Sequence, residues 1–288
     1  MTQFNFSSRP LEGKNVLLTR PRRQTEQLRE LFEAAGANVF VQPTIEIFPP
    51  DDWTAADSVI SSLNDYDFLI FSSSNGVSSF WERFYFTASS QQELLAPCVY
   101  PTLPNLKISQ NQSLQNPAPQ IVAVGRGTAE TLRHYNIQDN IQDILIPETN
   151  FCAEGVVELL AKNDLTGKRI LLIRGDRGRD LLPKELRRFG AIVEQISTYR
   201  SVDVTKSSPE IANLLQCGKM NWVTVTSSAI ARSLVKMFGD DLHKTKLASV
   251  SPITSQTLTE CGFPPTVEAS EATMSAIVKA ASNYKKIV

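Results

Sequence analysis

The sequence predicts an α/β protein whose parallel sheets are covered by helices on both faces. Short apolar strands alternate with helix patterns along the 288 residues, which is the arrangement of parallel α/β folds. The strands are continuous runs of Val, Ile and Leu, as expected for strands buried on both faces. Three separated stretches also recur 154 residues further along the chain, which indicates a duplicated module and therefore two similar domains. The recurring pairs are 15–17 with 169–171, 36–39 with 190–193, and 67–75 with 221–229.

Eight units follow one another, each with a strand, a polar turn and a helix whose apolar residues lie three and four apart. The strand-and-turn segments are 15–20, 67–76, 121–127, 144–151, 169–178, 221–228, 247–254 and 266–273. The pattern is weakest at 144–151. Gly36 and Gly190 stand where a glycine that ends a helix is expected.

The repeat also locates an insertion and two crossing segments. Val124 corresponds to Val250, a shift of only 126 residues, so the first half carries 28 extra residues at about 87–120. Their Ser-, Gln-, Asn- and Pro-rich sequence predicts a surface loop. The segments 43–47 and 196–201 occupy matching places in the repeat, and their composition favours β strands that cross between the domains.

Composition and charge exclude several classes of protein. Hydrophobic residues make up 42% and charged residues 20%, the balance of a globular protein. Lys and Arg total 29 against 30 Asp and Glu, so a chain-wide basic footprint for nucleic acid is absent. No apolar run is long enough to span a bilayer, and the first residues lack the apolar stretch of a secretory signal. We expect a cytoplasmic monomer that binds neither nucleic acid nor membrane.

The spacing of cysteines and histidines gives little support for a metal site or a redox-active thiol. The four cysteines form no CxxC pair, and His134 and His243 lie far apart, whereas metal and thiol sites need such residues clustered. We expect reduced, mostly buried cysteines, structural or surface histidines, no metal and no organic cofactor. Residues 125–127 read Gly-Arg-Gly but position 130 is Glu, so the dinucleotide fingerprint fails, and no phosphate-loop motif occurs.

Candidate binding residues cluster where the predicted strands end. Ligands of open parallel sheets bind beyond the carboxyl ends of the strands, and there the sequence supplies hydroxyls, glycines and arginines. In the first half these are Arg20, Ser72, Ser73, Ser74, Asn75, Gly125 and Thr128, and in the second half Arg174, Gly175, Thr226, Ser227, Ser228 and Thr254. Several stand at helix starts, whose free N–H groups suit phosphates or carboxylates. For any single hydroxyl, plain helix capping is the alternative.

Tyr199 is the candidate catalytic residue. Its position in the second crossing segment is compatible with an aromatic that simply packs in a strand, and its phenol could instead donate a proton to a substrate. Asp176 and Asp180 stand beside arginines and are most simply their solvated partners.

Several stretches together resemble the uroporphyrinogen-III synthase (HemD) family. They are VLLTRP, PTIEI, DYDFLIFSSSNGV, VAVGRGTAETL, LLIRGDRGRDLLPKELRRFGAIVEQISTYRS and LASVSPITSQTLTECGF, which span about 16–262. The resemblance implies two similar α/β domains joined by a two-stranded β linker. It assigns 1–42 plus 202–288 to one discontinuous domain and 48–195 to the other, with linkers 43–47 and 196–201.

The resemblance also implies an activity. Members of this family are lyases of tetrapyrrole and heme biosynthesis that convert hydroxymethylbilane to uroporphyrinogen III, with loss of water and inversion of ring D through a spiro intermediate, and without a cofactor. The substrate carries eight carboxylates, which fits donors such as N–H, hydroxyl and guanidinium. Because this substrate also cyclises spontaneously to the wrong isomer, positioning should matter more than strong acid–base chemistry.

Individual residues match the family's motifs. Tyr199 matches the linker tyrosine, the favoured donor to the leaving hydroxyl, and Thr128 matches the threonine of one turn motif. Ser72 and Ser73 match one turn of the first module, and Thr226, Ser228 and Thr254 match turns of the second. Ser251 departs from the pattern, since the family usually has Gly there, and this puts the geometry of that turn in doubt.

Two other functions stay open at this point. One is a non-catalytic module on the same fold that senses a tetrapyrrole or another anion, although no part of the sequence reads as an output domain. The other is a sugar-phosphate or nucleotide enzyme on a two-domain α/β scaffold, since fold does not fix function. The missing phosphate motifs and the lack of an evident carboxylate or histidine base count against it.

Overall fold

A computed structural model describes residues 9–90, 119–135 and 144–285. The chain divides into two compact units, Met1–Ile47 with Ser201–Val288, and Phe48–Arg200. Both boundaries fall inside strands. The strands are β1 Asn15–Leu18, β2 Asn38–Val41, β3 Ile45–Phe48, β4 Phe68–Phe71, β5 Gln120–Ala123, β6 Arg169–Gly175, β7 Ile192–Asp203, β8 Trp222–Val225, β9 Lys246–Ser249 and β10 Val267–Glu268.

Helices follow most strands, as predicted. They are α1 Glu26–Ala34, α2 Thr54–Ile60, α3 Ser74–Ser90, α4 Arg126–His134, α5 Ala153–Leu160, α6 Leu181–Arg188, α7 Pro209–Gln216, α8 Ser228–Phe238, α9 Pro252–Glu260 and α10 Met274–Ser282. Among the described helices, none is long and apolar enough to cross a membrane.

Two five-stranded sheets result, with strand orders β10-β9-β8-β1-β2 and β3-β7-β6-β4-β5. The pairs β1–β2, β1–β8, β8–β9, β9–β10, β4–β5, β4–β6 and β6–β7 are all parallel. The prediction of parallel sheets flanked by helices is therefore confirmed. The predicted linker 196–201 lies inside β7, which is one continuous strand of 12 residues.

Burial on both faces explains why the central strands are wholly apolar. In β4, Leu69 and Phe71 pack into one core with α2, α3 and α4, whereas Phe68 and Ile70 pack into another with α5 and α6. Because side chains alternate along a strand, a sheet covered on both sides needs an apolar residue at every position.

The first unit is built in the same way. Leu18 of β1 packs with α1 and α10, and Leu17 packs with α7, α8 and α9. Gly36 and Gly190 follow α1 and α6 with φ of 93° and 86°, a region in which a side chain is strained. Glycine is therefore required at the same point of both modules.

Three expectations differ from the structure. The segment 144–151 forms only a single bridge, Leu145 with Val122, and no strand, and Pro147 within it cannot donate to a ladder. Residues 87–90 of the expected loop belong to the last turn of α3, and 91–118 lie outside the described residues. The three described cysteines are less buried than expected, since Cys217 is exposed and Cys152 and Cys261 are intermediate, and Cys98 lies outside the described residues.

Tyr66, just before β4, gives the second unit a measurable pH dependence. Its buried hydroxyl donates a hydrogen bond of 2.5 Å to Glu194. Burial, and then this bond, raises the pKa of Tyr66 to about 12. The folded chain therefore holds this proton more tightly than the unfolded chain. The resulting stability is complete below the ordinary phenol pKa of about 10 and is lost as the pH rises through about 12.

Urea unfolding at about pH 9 and about pH 12 tests this dependence. Wild type should lose more stability across the window than Tyr66→Phe, which has no phenol proton to release. Tyr284→Phe, a change at an exposed tyrosine, should keep the wild-type slope. Equal slopes in wild type and Tyr66→Phe would show that Tyr66 contributes nothing to it.

Candidate functional site

The second unit carries a cluster around Tyr199 at the carboxyl ends of β4 and β6. The hydroxyl of Tyr199 lies 3.0 Å from Ser73 Oγ and is also hydrogen-bonded to the side chain of Asn75. Ser73 Oγ in turn accepts a hydrogen bond of 3.1 Å from the Gly76 N–H, which caps α3. Ser73 is thus both the cap of the helix and a partner of the phenol.

Gly175 makes room for the phenol. A Cβ at this position would come within 2.5 Å of Tyr199 Cζ and 2.8 Å of its hydroxyl oxygen. The aromatic ring therefore lies directly against the backbone of the last residue of β6. Gly175 was predicted as a substrate contact, which stays a prediction, and the structure shows in addition that its Cα faces the ring of Tyr199.

Burial is the main influence on the phenol proton. It raises the pKa of Tyr199, while the hydrogen bond from Ser73 lowers it by a smaller amount. The negative charge of Asp176 raises this pKa further, and the positive charge of Arg174 lowers it. The phenol is therefore protonated at neutral pH and stands among donors and acceptors that orient it.

Arg174, the residue before Gly175, is buried and paired within the protein. Its Nη1 donates to Gln195 Oε1 at 2.9 Å and lies 3.3 Å from Asp180 Oδ1. The guanidinium packs on Gly178, where a Cβ would come within 2.4 Å of it. The guanidinium is therefore held in place by other groups of the protein, and its positive charge acts on the nearby phenol of Tyr199.

The remaining predicted residues of the second unit lie at the same edge of its sheet. Ser72 follows β4, and its N–H donates to the Ile173 carbonyl at 3.0 Å. Ser74 begins α3 and is half-buried. Gly125 caps α4, and Thr128 in the first turn of α4 is buried with 7% exposure. Thr128 therefore offers a substrate little surface.

In the first unit most predicted hydroxyls already have partners. Ser227 caps α8 by accepting from the Ile230 N–H at 3.2 Å. Ser228 Oγ lies 2.7 Å from Thr257 Oγ1, and Thr254, only 1% exposed, lies 3.1 Å from Ser251 Oγ. Ser227 therefore caps a helix, which the sequence analysis gave as the alternative to substrate binding.

Thr226 follows β8 directly and is half-buried, as Ser227 and Ser228 are. Nothing in its surroundings assigns it a role.

Arg20 is the strongest anion-binding candidate of the first unit. Its Nη2 donates to Gln24 Oε1 at 3.2 Å, and its Nη1 lies against Met274 Sδ. Its Nε is buried without a hydrogen-bond partner, and burial lowers the pKa of Arg20. Within the described part of the chain, no carboxylate forms an ion pair with it. A buried guanidinium that lacks a counterion favours an incoming carboxylate.

Two residues of this region carried no signal in the sequence. Neither Gln195 nor Ser79 was among the predicted site residues, yet Gln195 accepts from Arg174 and Ser79 donates to the Thr198 carbonyl, both beside Tyr199. Their contacts depend on tertiary proximity, which one sequence does not show. Among the described residues, no cluster of His, Cys, Asp and Glu could hold a metal ion.

The fold and the candidate site together define a class of protein: a two-unit parallel α/β protein with candidate anion-binding groups and a half-buried tyrosine at the carboxyl ends of its strands. The chain belongs to the uroporphyrinogen-III synthase HemD family, whose model matches residues 26–279. This is a family of enzymes, lyases of heme biosynthesis. No comparison supports the non-catalytic sensing alternative.

Relatives match over most of the chain. The uroporphyrinogen-III synthase of Synechococcus elongatus is 28% identical over 290 residues, covering 98% of this chain and 99% of that protein. The uroporphyrinogen-III synthase of Escherichia coli is 25% identical and covers 76% of this chain and 78% of its own length.

Solved structures share the fold. A uroporphyrinogen III synthase from Thermus thermophilus aligns with a TM-score of 0.60 at 15% identity, covering 92% of this chain and 96% of its own. The synthetase from Helicobacter pylori aligns with a TM-score of 0.53 at 19% identity, covering 93% and 98%.

Proposed function

We propose that this chain closes hydroxymethylbilane to uroporphyrinogen III, and that Tyr199 is its proton donor. The observation that carries the proposal is the phenol itself, which Ser73 and Asn75 hold at the carboxyl ends of β4 and β6. A hydroxide leaves poorly, so a donor within hydrogen-bond reach of the departing oxygen lowers the barrier.

The steps balance with this one donor. The C–O bond of the hydroxymethyl group breaks while Tyr199 transfers its proton to the oxygen, and water leaves. The resulting azafulvene is attacked by the substituted carbon of ring D to give a spiro intermediate. This intermediate fragments and recloses with ring D inverted. Closure of the ring releases a proton, which returns Tyr199 to its phenol form.

The raised pKa of Tyr199 suits this role. A donor must be protonated before the reaction, and burial keeps the phenol so. Ser73 Oγ already accepts from the Gly76 N–H, so its own proton can be donated to the phenol oxygen. Tyr199 then directs its proton outward and not towards Ser73.

Each unit, taken by itself, offers candidate donors for the substrate's carboxylates. Arg20 offers the guanidinium without a counterion, and the helix starts offer N–H groups. The residues that we propose as contacts in addition to Arg20 are Ser72, Ser73, Ser74, Asn75, Gly125, Thr128, Arg174, Gly175, Thr226, Ser227, Ser228 and Thr254. Of these, Gly175 and Arg174 would act mainly through Tyr199, because their side-chain space or charge is used there.

The finer organisation is part of the same proposal. We assign 1–42 with 202–288 to one domain and 48–195 to the other, joined by 43–47 and 196–201. The chain would act as a cytoplasmic monomer. It would need no cofactor, because the reaction as written uses neither an oxidant nor a metal.

Isomer analysis tests the function directly. Purified chain incubated with hydroxymethylbilane should give mainly uroporphyrinogen III, separated from isomer I by chromatography after oxidation to the porphyrins. The heat-denatured chain is the control and should give isomer I. Isomer I as the sole product of the native chain would refute the proposal.

A further inference from the structure

Strand β7 has one residue more than its neighbour immediately before Tyr199. Arg174 of β6 pairs with Ser197, but the next residue, Gly175, pairs with Tyr199, so Thr198 has no partner on β6. Such a bulge bends a strand and changes the direction of the side chain that follows it. A backbone group that leaves the ladder inside a protein needs another hydrogen-bond partner.

Helix α3 supplies that partner. The hydroxyl of Ser79 donates a hydrogen bond to the Thr198 carbonyl. Thr198 is fully buried, so water cannot replace this donor without entering the core. On the other side of the bulge, the Asp176 N–H donates to the Tyr199 carbonyl at 3.1 Å. The carbonyl before Tyr199 is therefore bonded to α3, and the carbonyl of Tyr199 itself is bonded to the residue that follows β6.

The same helix also reaches the far end of the tyrosine. Ser73 caps α3 and lies 3.0 Å from the Tyr199 hydroxyl, while Ser79, one and a half turns further on, holds the carbonyl that precedes Tyr199. Helix α3 therefore contacts both the hydroxyl of Tyr199 and the backbone carbonyl that precedes this residue. A shift of the bulge relative to α3 would separate the phenol from Ser73.

We propose that Ser79 is a positioning residue for the reaction, whose hydroxyl fixes the β7 bulge and thereby sets where the Tyr199 phenol stands. This inference rests on the role proposed above for Tyr199. Among the described residues, the hydrogen bond of the Ser79 hydroxyl goes to the Thr198 carbonyl and not to the phenol, whose partners are Ser73 and Asn75. Its removal should therefore impair the step that uses the phenol and leave substrate affinity largely intact.

The substitution Ser79→Ala is suited to the test. Alanine is the best helix former, so α3 should persist, and only the hydroxyl is lost. The matched control is Ser78→Ala in the same turn, because no side-chain hydrogen bond of Ser78 is found within the described residues. Ser79→Thr keeps a hydroxyl at this half-buried position.

We expect Ser79→Ala to lower kcat on the order of 10-fold with KM changed less than about 2-fold, as for a displaced catalytic group. Ser79→Thr should recover most of the rate, and Ser78→Ala should match wild type. Wild-type kcat in Ser79→Ala, or an equal loss in Ser78→Ala, would overturn the assignment.

An activity-independent measurement separates this inference from the proposed function. Ultraviolet titration of wild type against Tyr199→Phe isolates the Tyr199 phenol from the other five tyrosines. The titration of Ser79→Ala is then compared in the same way with that of the double variant Ser79→Ala/Tyr199→Phe. We expect the Tyr199 midpoint in this background to fall towards that of an ordinary phenol, because burial is the largest influence on this pKa and its relief outweighs the loss of the Ser73 hydrogen bond, which would raise the pKa, while Arg174 and Asp176 stay beside the ring. An unchanged midpoint would refute the positioning role even if the wild type makes isomer III.

Discussion

Replacing Tyr199 with Phe is expected to lower kcat about 10- to 100-fold, at the lower end of what a general acid contributes. The ring, which lies against Gly175, is retained, and only the proton donor and its bond to Ser73 are lost. The loss should be partial because holding the tetrapyrrole in the reactive conformation supplies much of the acceleration. Initial rates of uroporphyrinogen III formation, measured with saturating hydroxymethylbilane, check this value.

The pH profile adds a second test of the same residue. Because burial raises the pKa of Tyr199, wild-type activity should persist above the ordinary phenol pKa and then fall as the phenol ionises. In Tyr199→Phe, this fall of activity at alkaline pH (the alkaline limb of the profile) should be absent. Tyr284→Phe, at an exposed tyrosine, serves as the control and should keep both the rate and the limb. A wild-type rate in Tyr199→Phe would remove Tyr199 from the catalytic residues.

The fold was predictable because each strand is encoded locally. β4 is wholly apolar, β6 is apolar over 170–173, and these stretches are buried on both faces, so pattern and environment agree. The strand expected at 144–151 was wrong for a reason that the same physics supplies: Pro147 interrupts the run, and a single bridge at Leu145 is all that forms.

The site was predictable only in outline. The rule that ligands bind at the carboxyl ends of parallel strands placed Ser73 and Gly175 at the correct edge of the sheet. It could not show that Ser73 contacts the phenol of Tyr199, which lies 126 residues away in sequence. The bulge at Thr198, immediately before Tyr199, was likewise not predicted, because it is seen only in the pairing of β7 with β6.

Hydroxyl residues show the same limit. Ser227 and Thr254 look alike in sequence, each at or near a helix start, but Ser227 caps α8 and Thr254 is buried. Arg20 stands out from the other predicted arginine, Arg174, because it lacks a counterion among the described residues. Pairing is a tertiary property, so only the structure distinguishes a guanidinium that is available to a ligand from one that is already bound.

Gly175→Ala is expected to reduce kcat at least as much as loss of the phenol, although it adds only a methyl group. The added Cβ would overlap the ring of Tyr199, with a separation of 2.5 Å from Cζ. Ring and strand must then move apart. The backbone of Gly175 is not in the left-handed region, so alanine is not excluded by its φ. Overpacking of this kind costs roughly 1–3 kcal/mol of stability, which chemical unfolding measures.

A double-mutant cycle decides whether Gly175 acts through the phenol. If it does, Gly175→Ala should lower kcat little further once Tyr199→Phe has removed the hydroxyl, because two changes that disable one group do not add. The loss of stability should persist in that background, since the phenylalanine ring fills the same space. It should shrink in Tyr199→Ala, which removes the overlapping ring. Additive effects on kcat would show instead that Gly175 contacts the substrate directly, as the sequence alone had suggested.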